Sequence, residues 1–404
     1  MGKIKYLGFI GITLIALNWP CLAQNVAMLS PTPKHTSFDD ESLFIKALDE
    51  VRTDHIDAAL SHLAYLVKVN PKFRLAQLVY ADMLLSRSRP ITDFGNLSYA
   101  PYKRIMALRA EAIARWRHHL ATNYRNKIPA SFVKFNKKQD YAIIVDLKVP
   151  RLYLFKNEGG YPKLIKDFYV SIGKKGFGKL EEGDQKTPIG VYFASNYIGP
   201  AKLPDFYGDG AFPINYPNAW DRKNGYTGYG IWLHGTPSNT YSRPPRDSDG
   251  CIIVSNDDLK SLERYIKTGT TPVILAKDIK WISVAEWKQR QKKFDRFLDQ
   301  WRKDWESRNS DLYLSHYSKD YSGMGKDYHD WVNYKRRVNS GKKYIQVDIH
   351  GTSMFEYPDD MKILVITFEQ DYKSNNVERR FKKRQYWRME KDGTWRIFYE
   401  GSVS

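Results

Sequence analysis

The hydrophobic periodicity of the chain changes twice, and these changes constrain the fold more than any other feature. From Glu41 to about Tyr124, apolar residues recur at helical spacing, with a break at Asn70-Pro71. From about residue 140 to residue 275, short strand-type runs alternate with Pro and Gly. Beyond residue 280, one helical stretch precedes four strand-type runs. The pattern predicts a multidomain α+β protein with a helical N-terminal region, a mainly-β middle domain and an α+β C-terminal domain.

The helical region is predicted to span residues 24–130. Within it, residues 57–73 resemble one tetratricopeptide-type helical hairpin, and a generic helical hairpin explains the same pattern equally well. One such unit cannot bury both of its apolar faces alone. We therefore expect it to pack against the domain that follows.

The C-terminal domain is predicted to span residues 281–404. Five large apolar residues recur at helical spacing and predict one long amphipathic helix with these side chains in the core: Trp287, Phe294, Leu298, Trp301 and Trp305. Strands are predicted over residues 343–354, 362–372, 379–390 and 394–400, with a hairpin at Asp392-Gly393. A long helix followed by a curved antiparallel sheet resembles the cone-shaped nuclear-transport-factor-like fold.

The first 23 residues have the features of a secretory signal peptide. Lys3 and Lys5 precede a short apolar run, and Cys21-Leu22-Ala23 supplies small residues for cleavage. An uncleaved N-terminal anchor is the alternative. Either interpretation predicts an exported protein of the periplasm or cell envelope.

The cysteine count narrows the chemistry. The chain has two cysteines, and Cys21 lies in the predicted signal peptide, so the exported protein keeps one thiol, Cys251. A single thiol in an exported protein is a free reactive group, an intermolecular partner or an inert buried side chain. The count alone leaves these three alternatives open.

The formal net charge of +19 predicts attraction to anionic surfaces, such as envelope polymers or phospholipid. We expect no nucleic acid partner, because the sequence has no helix-turn-helix, zinc-finger or RNA-binding motif. The basic residues are spread along the chain, so a generally solvated surface is the simpler explanation of the charge.

The segment with the clearest chemical signature joins a histidine to this thiol. His234 ends the apolar run of residues 230–233, and Cys251 follows it by seventeen residues in the box Ser248-Asp-Gly-Cys-Ile252. A thiol attacks as the thiolate, and an imidazole can take its proton and return it to a leaving amine. Gly235 could orient the imidazole through its carbonyl, and the N–H groups of Gly250 and Cys251 could stabilise an oxyanion.

These residues resemble the catalytic domain of bacterial L,D-transpeptidases of the YkuD type. That family has a Thr-Pro-x-Gly strand start, then a His-Gly pair, then a Ser-x-Gly-Cys box, and this chain has Thr187-Pro-Ile-Gly190 upstream. The match covers about residues 139–277. By this resemblance, Cys251 is the nucleophile, His234 the base and Gly235 the orienting carbonyl, while Ser248 and Gly250 shape the pocket.

Two positions depart from the commonest form of the box. Asp249 stands where histidine is usual, and Ile253 stands where arginine or asparagine is usual. Asp249 could tune the imidazolium or the thiolate, or serve only as a turn residue. An arginine near this position would suit a substrate carboxylate, and that role could fall to a nearby cation: Arg243, Arg246 or Lys174.

The resemblance implies a peptidoglycan-modifying enzyme whose partners are stem peptides. Cys251 would attack the third stem residue at its L-centre and expel the terminal D-alanine, and an amine acceptor would then give an L,D-transpeptidase. Water as acceptor would give an L,D-carboxypeptidase, and a nuclear-transport-factor-like domain resembles the arrangement in cell-shape L,D-carboxypeptidases. A non-catalytic wall-binding protein is the alternative of another class.

We expect neither a cofactor nor a metal site. His316 and His329 stand near aspartates without a recognisable metal-ligand spacing, and His350-Gly-Thr-Ser353 repeats the His-Gly pattern with no cysteine after it. The C-terminal domain is a candidate surface for homodimerisation.

Overall fold

The computed structural model describes residues 39–95, 101–121, 124–359 and 361–403. The predicted signal peptide and Cys21 lie outside these residues. Residues 40–404 form one compact unit. The three expected regions therefore pack together, and the predicted α+β fold class is confirmed.

Four helices form the N-terminal region: α1 Asp40–Arg52, α2 Ile56–Val69, α3 Arg74–Ser86 and α4 Tyr102–Leu120. Their apolar stripes meet in one core that includes the fully buried side chains of Phe44, Leu63 and Phe73. The break between α2 and α3 falls at Asn70-Pro71, where proline cannot continue a helix. The helix α4 ends at Leu120, four residues before the expected end.

The middle domain contains most of the strands: β1 Ile128–Pro129, β2 Phe132–Lys134, β3 Tyr141–Asp146, β4 Arg151–Glu158, β5 Tyr161–Tyr169, β6 Ile172–Gly173, β7 Gly190–Phe193, β8 Ala211–Pro213, β9 Trp232–His234, β10 Arg246–Ser248, β11 Ile252–Ile253, β12 Pro272–Ala276 and β13 Trp281–Ile282. Two short helices interrupt them: α5 Ala219–Lys223 and α6 Asn256–Glu263.

A five-stranded sheet with the order β5-β4-β3-β12-β7 forms the frame of this domain. The strand β12 pairs in parallel with β3 and antiparallel with β7. Both central strands are continuous apolar runs because each is buried on both faces, between two hydrophobic clusters. A smaller sheet, β11-β9-β8, carries the His-Gly and Gly-Cys segments.

The C-terminal domain consists of three helices and a curved sheet: α7 Val284–Glu306, α8 Ser310–Ser315, α9 Tyr328–Ser340, β14 Ser322–Gly323, β15 Lys326–Asp327, β16 Ile345–Glu356, β17 Ile363–Ser374, β18 Glu378–Met389 and β19 Trp395–Ser402. The large sheet has the order β19-β18-β17-β16-β2, so β2, from the start of the middle domain, completes it. The five predicted core residues of α7 are all buried, four of them in the cluster formed with this sheet and Trp287 in the cluster that includes the middle domain. The helices α8 and α9 occupy a stretch for which the sequence analysis predicted no helix.

A buried ion network joins the N-terminal helices to the middle domain. The carboxylate of Glu41 on α1 pairs with Arg115 on α4 at 2.8 Å and with Arg151 on β4 at 2.7 Å. Glu111 on α4 pairs with Arg115 at 2.8 Å and accepts a hydrogen bond from the hydroxyl of Ser242 at 2.6 Å. The helices thus hold the loop between β9 and β10 through Ser242.

Within the residues described, no helix is long and apolar enough to cross a bilayer.

The ion network predicts a specific loss of stability. Burial alone would raise the pKa of Glu41, but Arg151 and Arg115 outweigh it and lower the pKa from 4.5 to about 2. The folded state therefore favours the ionised carboxylate. This contribution to the free energy of unfolding is present above pH 4.5 and is lost as the pH falls towards 2. We expect Glu41→Gln to lower the free energy of unfolding by about 3 kcal/mol, because two buried guanidinium groups each lose one carboxylate partner and keep only the other, Glu111 for Arg115 and Asp167 for Arg151.

Urea unfolding at neutral pH measures this change. Asp49→Asn is the matched control, because Asp49 pairs at 2.8 Å with the exposed Arg52 and an exposed pair contributes about 0–1 kcal/mol. Equal losses in the free energy of unfolding for Glu41→Gln and Asp49→Asn would contradict the predicted contribution of the buried network.

Candidate active site

A tight loop leading into β11 presents Cys251. Gly250 has φ of 127°, in the left-handed region that favours glycine, and an added Cβ would lie 2.8 Å from the carbonyl oxygen of Lys186. The buried hydroxyl of Ser248 closes the loop, because it accepts from the Gly250 N–H at 3.1 Å and donates to the Cys251 carbonyl at 2.7 Å. The Gly250 N–H is therefore occupied, and the N–H of Cys251 remains the candidate of the two expected oxyanion donors.

Thr187 ties this loop to a neighbouring one. Its buried hydroxyl donates to the carbonyl of Gly250 at 3.0 Å and accepts from the N–H of Gly173 at 3.0 Å. The Thr-Pro-Ile-Gly segment that leads into β7 therefore holds the cysteine loop in place through the hydroxyl of Thr187.

The thiol lies beside the strand that carries the histidine. Since β11 runs parallel to β9 with Ile253 opposite His234, Cys251 is level with Trp232. The Sγ atom lies 3.3 Å from the carbonyl oxygen of Gly230, and the backbone N–H of Trp232 forms a hydrogen bond with it. Side chains two residues apart on a strand share a face, so Trp232 and His234 point to the same side. The partly exposed thiol and the imidazole therefore lie beside the same strand, β9.

The imidazole is held in one tautomer. Its Nδ1 lies 2.7 Å from the carbonyl oxygen of Gly235, which can only accept, so Nδ1 carries the proton and Nε2 holds the lone pair. A Cβ at Gly235 would lie 2.1 Å from Oδ1 of Asn256. The Asn256 amide accepts from the Thr236 N–H at 3.1 Å and donates to the Thr236 carbonyl at 2.9 Å. This arrangement leaves Nε2 of His234 available as a base.

Two further residues act on both the thiol and the imidazole. The ring of Tyr207 lies 5.0 Å from that of His234, edge to face, and the pKa of Tyr207 is raised by burial and then by the charge of Cys251. The positive charge of Arg243 also acts to lower the pKa of His234 and that of Cys251. This effect is smaller than the effects of burial and of the backbone hydrogen bonds. Tyr207 and Arg243 therefore belong to the electrostatic surroundings of the thiol and of the imidazole.

Both reactive groups are uncharged at neutral pH. Burial lowers the pKa of His234 to about 4, although the hydrogen bond with Gly235 acts in the opposite direction. Burial raises the pKa of Cys251 to about 11, although the hydrogen bond from Trp232 opposes it. A thiolate–imidazolium pair is therefore unfavourable in the free protein. We expect the proton to leave sulfur as the sulfur attacks, which is general base catalysis.

The three candidate cations near the box lie in different surroundings. Lys174 donates to Asp249 at 3.1 Å, and Asp249 is exposed. Arg246 is also exposed. Arg243 is largely buried, and its Nη1 has no hydrogen-bond partner within the residues described. Of the three, Arg243 is the one whose charge reaches both reactive groups.

Asp249 does not contact the imidazole by any described hydrogen bond. Its Oδ1 accepts from Lys174 and, at 3.1 Å, from the side-chain amide of Gln185. Its charge contributes to the raised pKa of Cys251. Asp249 therefore acts on the thiolate and also joins the loop at residues 173–186 to the cysteine loop.

Sequence reasoning missed Tyr207 and Asn256. Tyr207 ends a single turn of 3₁₀-helix, Asp205–Tyr207, in a Pro- and Gly-rich segment that carries no motif. Asn256 is the first residue of α6, where its polarity indicates only a helix start. Neither residue could have been placed behind His234 without the fold.

The other histidines of interest lie in the C-terminal domain. His316 pairs with Asp304 at 2.7 Å, and His350 lies 3.5 Å from Glu369. In the described part of the chain, no cluster of three or more His, Cys, Asp or Glu residues could hold a metal ion.

Known families match two parts of the chain. Residues 140–275 match the L,D-transpeptidase catalytic domain, YkuD, and residues 293–401 match the Cds6 C-terminal NTF2-like domain. No curated protein matches the sequence.

Two solved structures share the fold of both domains. Bd1075 of Bdellovibrio bacteriovorus is 30% identical with a TM-score of 0.62, and the match covers 69% of this chain and 98% of that one. The helical cell shape determining protein Pgp2 of Campylobacter jejuni is 23% identical with a TM-score of 0.56, and the match covers 67% of this chain and 95% of that one. Because the two family models and the 30% identical structure agree, the chain belongs to the YkuD family of L,D-transpeptidases, in the form that carries a C-terminal NTF2-like domain.

Proposed function

We propose that this protein is a cysteine enzyme that cleaves the terminal D-alanine from peptidoglycan tetrapeptide stems. One observation carries the proposal. The thiol of Cys251 lies beside β9, where His234 has its Nδ1 bound to a carbonyl and its Nε2 available as a base. A wall-binding module would need neither group.

The first half-reaction forms a thioester. The sulfur of Cys251 attacks the carbonyl carbon of the third stem residue while its proton passes to Nε2 of His234. The N–H of Cys251 stabilises the oxyanion that develops on the carbonyl oxygen. The C–N bond to D-alanine then breaks, and the imidazolium returns the proton to the leaving amine.

The second half-reaction determines the product. We propose that water attacks the thioester with His234 as base, which releases the tripeptide and returns the proton to sulfur. The NTF2-like domain supports this choice. Its combination with the catalytic domain resembles the arrangement in cell-shape L,D-carboxypeptidases, and Pgp2, a helical cell shape determining protein, shares the fold. Attack by the side-chain amine of another stem, giving a 3–3 cross-link, is the second candidate and is supported by the match to the L,D-transpeptidase domain.

Arg243 supplies the cation for the terminal carboxylate of the stem. Its Nε is bound to Asp247 at 2.8 Å, which orients the guanidinium, and its buried Nη1 has no partner within the residues described. Ile253, at the position where the family commonly has arginine or asparagine, is 2% exposed and cannot replace it. A buried guanidinium with an unused donor is suited to a carboxylate.

The proposal includes export to the periplasm or cell envelope, in keeping with the predicted signal peptide and the net charge of +19. Binding to anionic envelope surfaces and dimerisation through the C-terminal domain stay predictions.

Purified tetrapeptide monomers, incubated with and without an acceptor stem, test the reaction. We expect tripeptide and free D-alanine in both mixtures, measured by chromatography and mass spectrometry. Cys251→Ala should give no product, and His234→Gln should lose about 10²–10⁴-fold in rate. His350→Gln, in the C-terminal sheet, is the control and should keep the wild-type rate. A predominance of cross-linked product would replace hydrolysis by transpeptidation, and product from Cys251→Ala would refute the cysteine mechanism.

The role of Arg243 predicts a selective loss. Arg243→Gln should lower kcat/KM for the tetrapeptide by about 10–100-fold, since a hydrogen bond to a charged group contributes about 1.5–3 kcal/mol. The loss should be much smaller for a tetrapeptide whose C-terminus is an amide. Arg246→Gln, at an exposed position on β10, is the control. It should change kcat/KM for either substrate by no more than about 2-fold. An equal loss for both substrates in Arg243→Gln would contradict carboxylate binding.

A further inference from the structure

A cavity of about 310 Å³ lies between the middle domain and the C-terminal sheet. Phe193 of β7 and Asn215 line one side of it, and Arg384, Tyr386 and Tyr399 of the C-terminal sheet line the other. This interface cavity is separate from the Cys251 site, because no residue of the His-Gly or Gly-Cys segments lines it. Its volume is at the lower end of the range for small-molecule sites.

The alternation of β18 directs one arginine into this cavity. Lys383 and Gln385 contact the buried Glu400 on the inner face of the sheet, at 2.8 and 2.7 Å. Arg384 lies between them in sequence, so it points to the opposite face, towards the middle domain. Its guanidinium carbon lies 3.5 Å from the centroid of the Phe193 ring.

This guanidinium is positioned but not neutralised. The Nε of Arg384 donates to the hydroxyl of Thr367 at 3.0 Å, and neither terminal nitrogen has a hydrogen-bond partner within the described residues. Burial lowers the pKa of Arg384, and no carboxylate contributes to that pKa. Stacking on Phe193 and the single bond to Thr367 leave the outer edge of the guanidinium free, and this edge binds carboxylates with two parallel hydrogen bonds.

The rest of the cavity has the same electrostatic character. Arg222 of α5 also lines it, and none of the described lining residues is acidic. Burial raises the pKa of Tyr386 to about 12, and the positive charges of Arg384 and Arg222 act in the opposite direction. Asp221 also acts on Tyr386, but its carboxylate is turned into the α5 cap, where it accepts from the Asn218 N–H at 2.9 Å.

Neutral donors complete the lining. The Oδ1 of Asn215 accepts from the Phe193 N–H at 2.7 Å, so the amide NH₂ group is directed away from that bond. The described residues that line the cavity thus include two arginines and no carboxylate.

We propose that the interface cavity is a second ligand site, which binds the carboxylate of a small molecule or peptide end through Arg384, with Arg222 contributing positive charge. The site is independent of the proposed peptidase reaction. Because its walls come from both domains, a bound carboxylate would also stabilise the contact between them.

The test uses the full chain and follows the Nε–H resonance of Arg384 by NMR, assigned through its loss in Arg384→Lys. N-acetyl-D-alanine is the probe, and its C-terminal amide and inorganic phosphate are the comparison ligands. We expect a saturable shift with the carboxylate, at least about 10-fold weaker binding in Arg222→Gln, and no shift with the amide. Arg379→Gln, an exposed position on the same strand, is the control and should bind as the wild type does.

Four outcomes would overturn the proposal: no shift in the wild type, equal shifts with the amide, tighter binding of phosphate than of the carboxylate, or unchanged binding in Arg222→Gln. Arg243→Gln, which weakens the site near Cys251, should leave the Arg384 shift intact, so failure of this proposal is distinguishable from failure of the proposed reaction.

Discussion

The parallel pairing of β11 with β9 is the constraint on which the rest of the site depends. It brings a residue that follows His234 by seventeen positions level with the strand that carries the imidazole. The pairing needs a sharp entry into β11, which Gly250 permits through its positive φ and Ser248 stabilises through two hydrogen bonds. Without this register, the thiol and the imidazole would lie apart, and the thiol would have no base to take its proton.

The N-terminal helices contribute to the same site from outside. The loop between β9 and β10 carries Arg243, and the two residues that precede Arg243 contact the helical region. Ser242 donates to the buried Glu111, and the ring of Tyr241 lies 4.3 Å from that of Phe73. The helical region therefore holds the loop that bears the proposed carboxylate-binding residue. This explains why a helical hairpin that cannot bury both its faces alone is stable here.

The sequence predicted the features that depend on local pattern. The long helix α7 was evident from five apolar residues at helical spacing, and the β character of residues 140–275 from short strand-type runs between Pro and Gly. The pairing of β2 with β16 could not be predicted, because it joins residues more than two hundred positions apart. The helix α8 was missed because it has only six residues, and α9 because it follows a Tyr-, Ser- and Gly-rich stretch and its cap, Asp327, resembles a loop residue.

The site was predictable in its residues but not in its electrostatics. Motif order identified the thiol, the base and the orienting carbonyl. It could not show that the hydroxyl of Ser248 occupies the Gly250 N–H, since this competition depends on the loop's conformation. It also could not show that burial moves the pKa values of His234 and Cys251 apart to about 4 and about 11. The rate of acyl-enzyme formation with a carbapenem, followed by intact mass against pH, tests this neutral pair most directly. We expect a rate that is constant from about pH 5 to about pH 9 in the wild type, a far slower rate in His234→Gln and no adduct on Cys251→Ala. A rate in the wild type that follows a pKa near 6.5, or an adduct that survives Cys251→Ala, would contradict it.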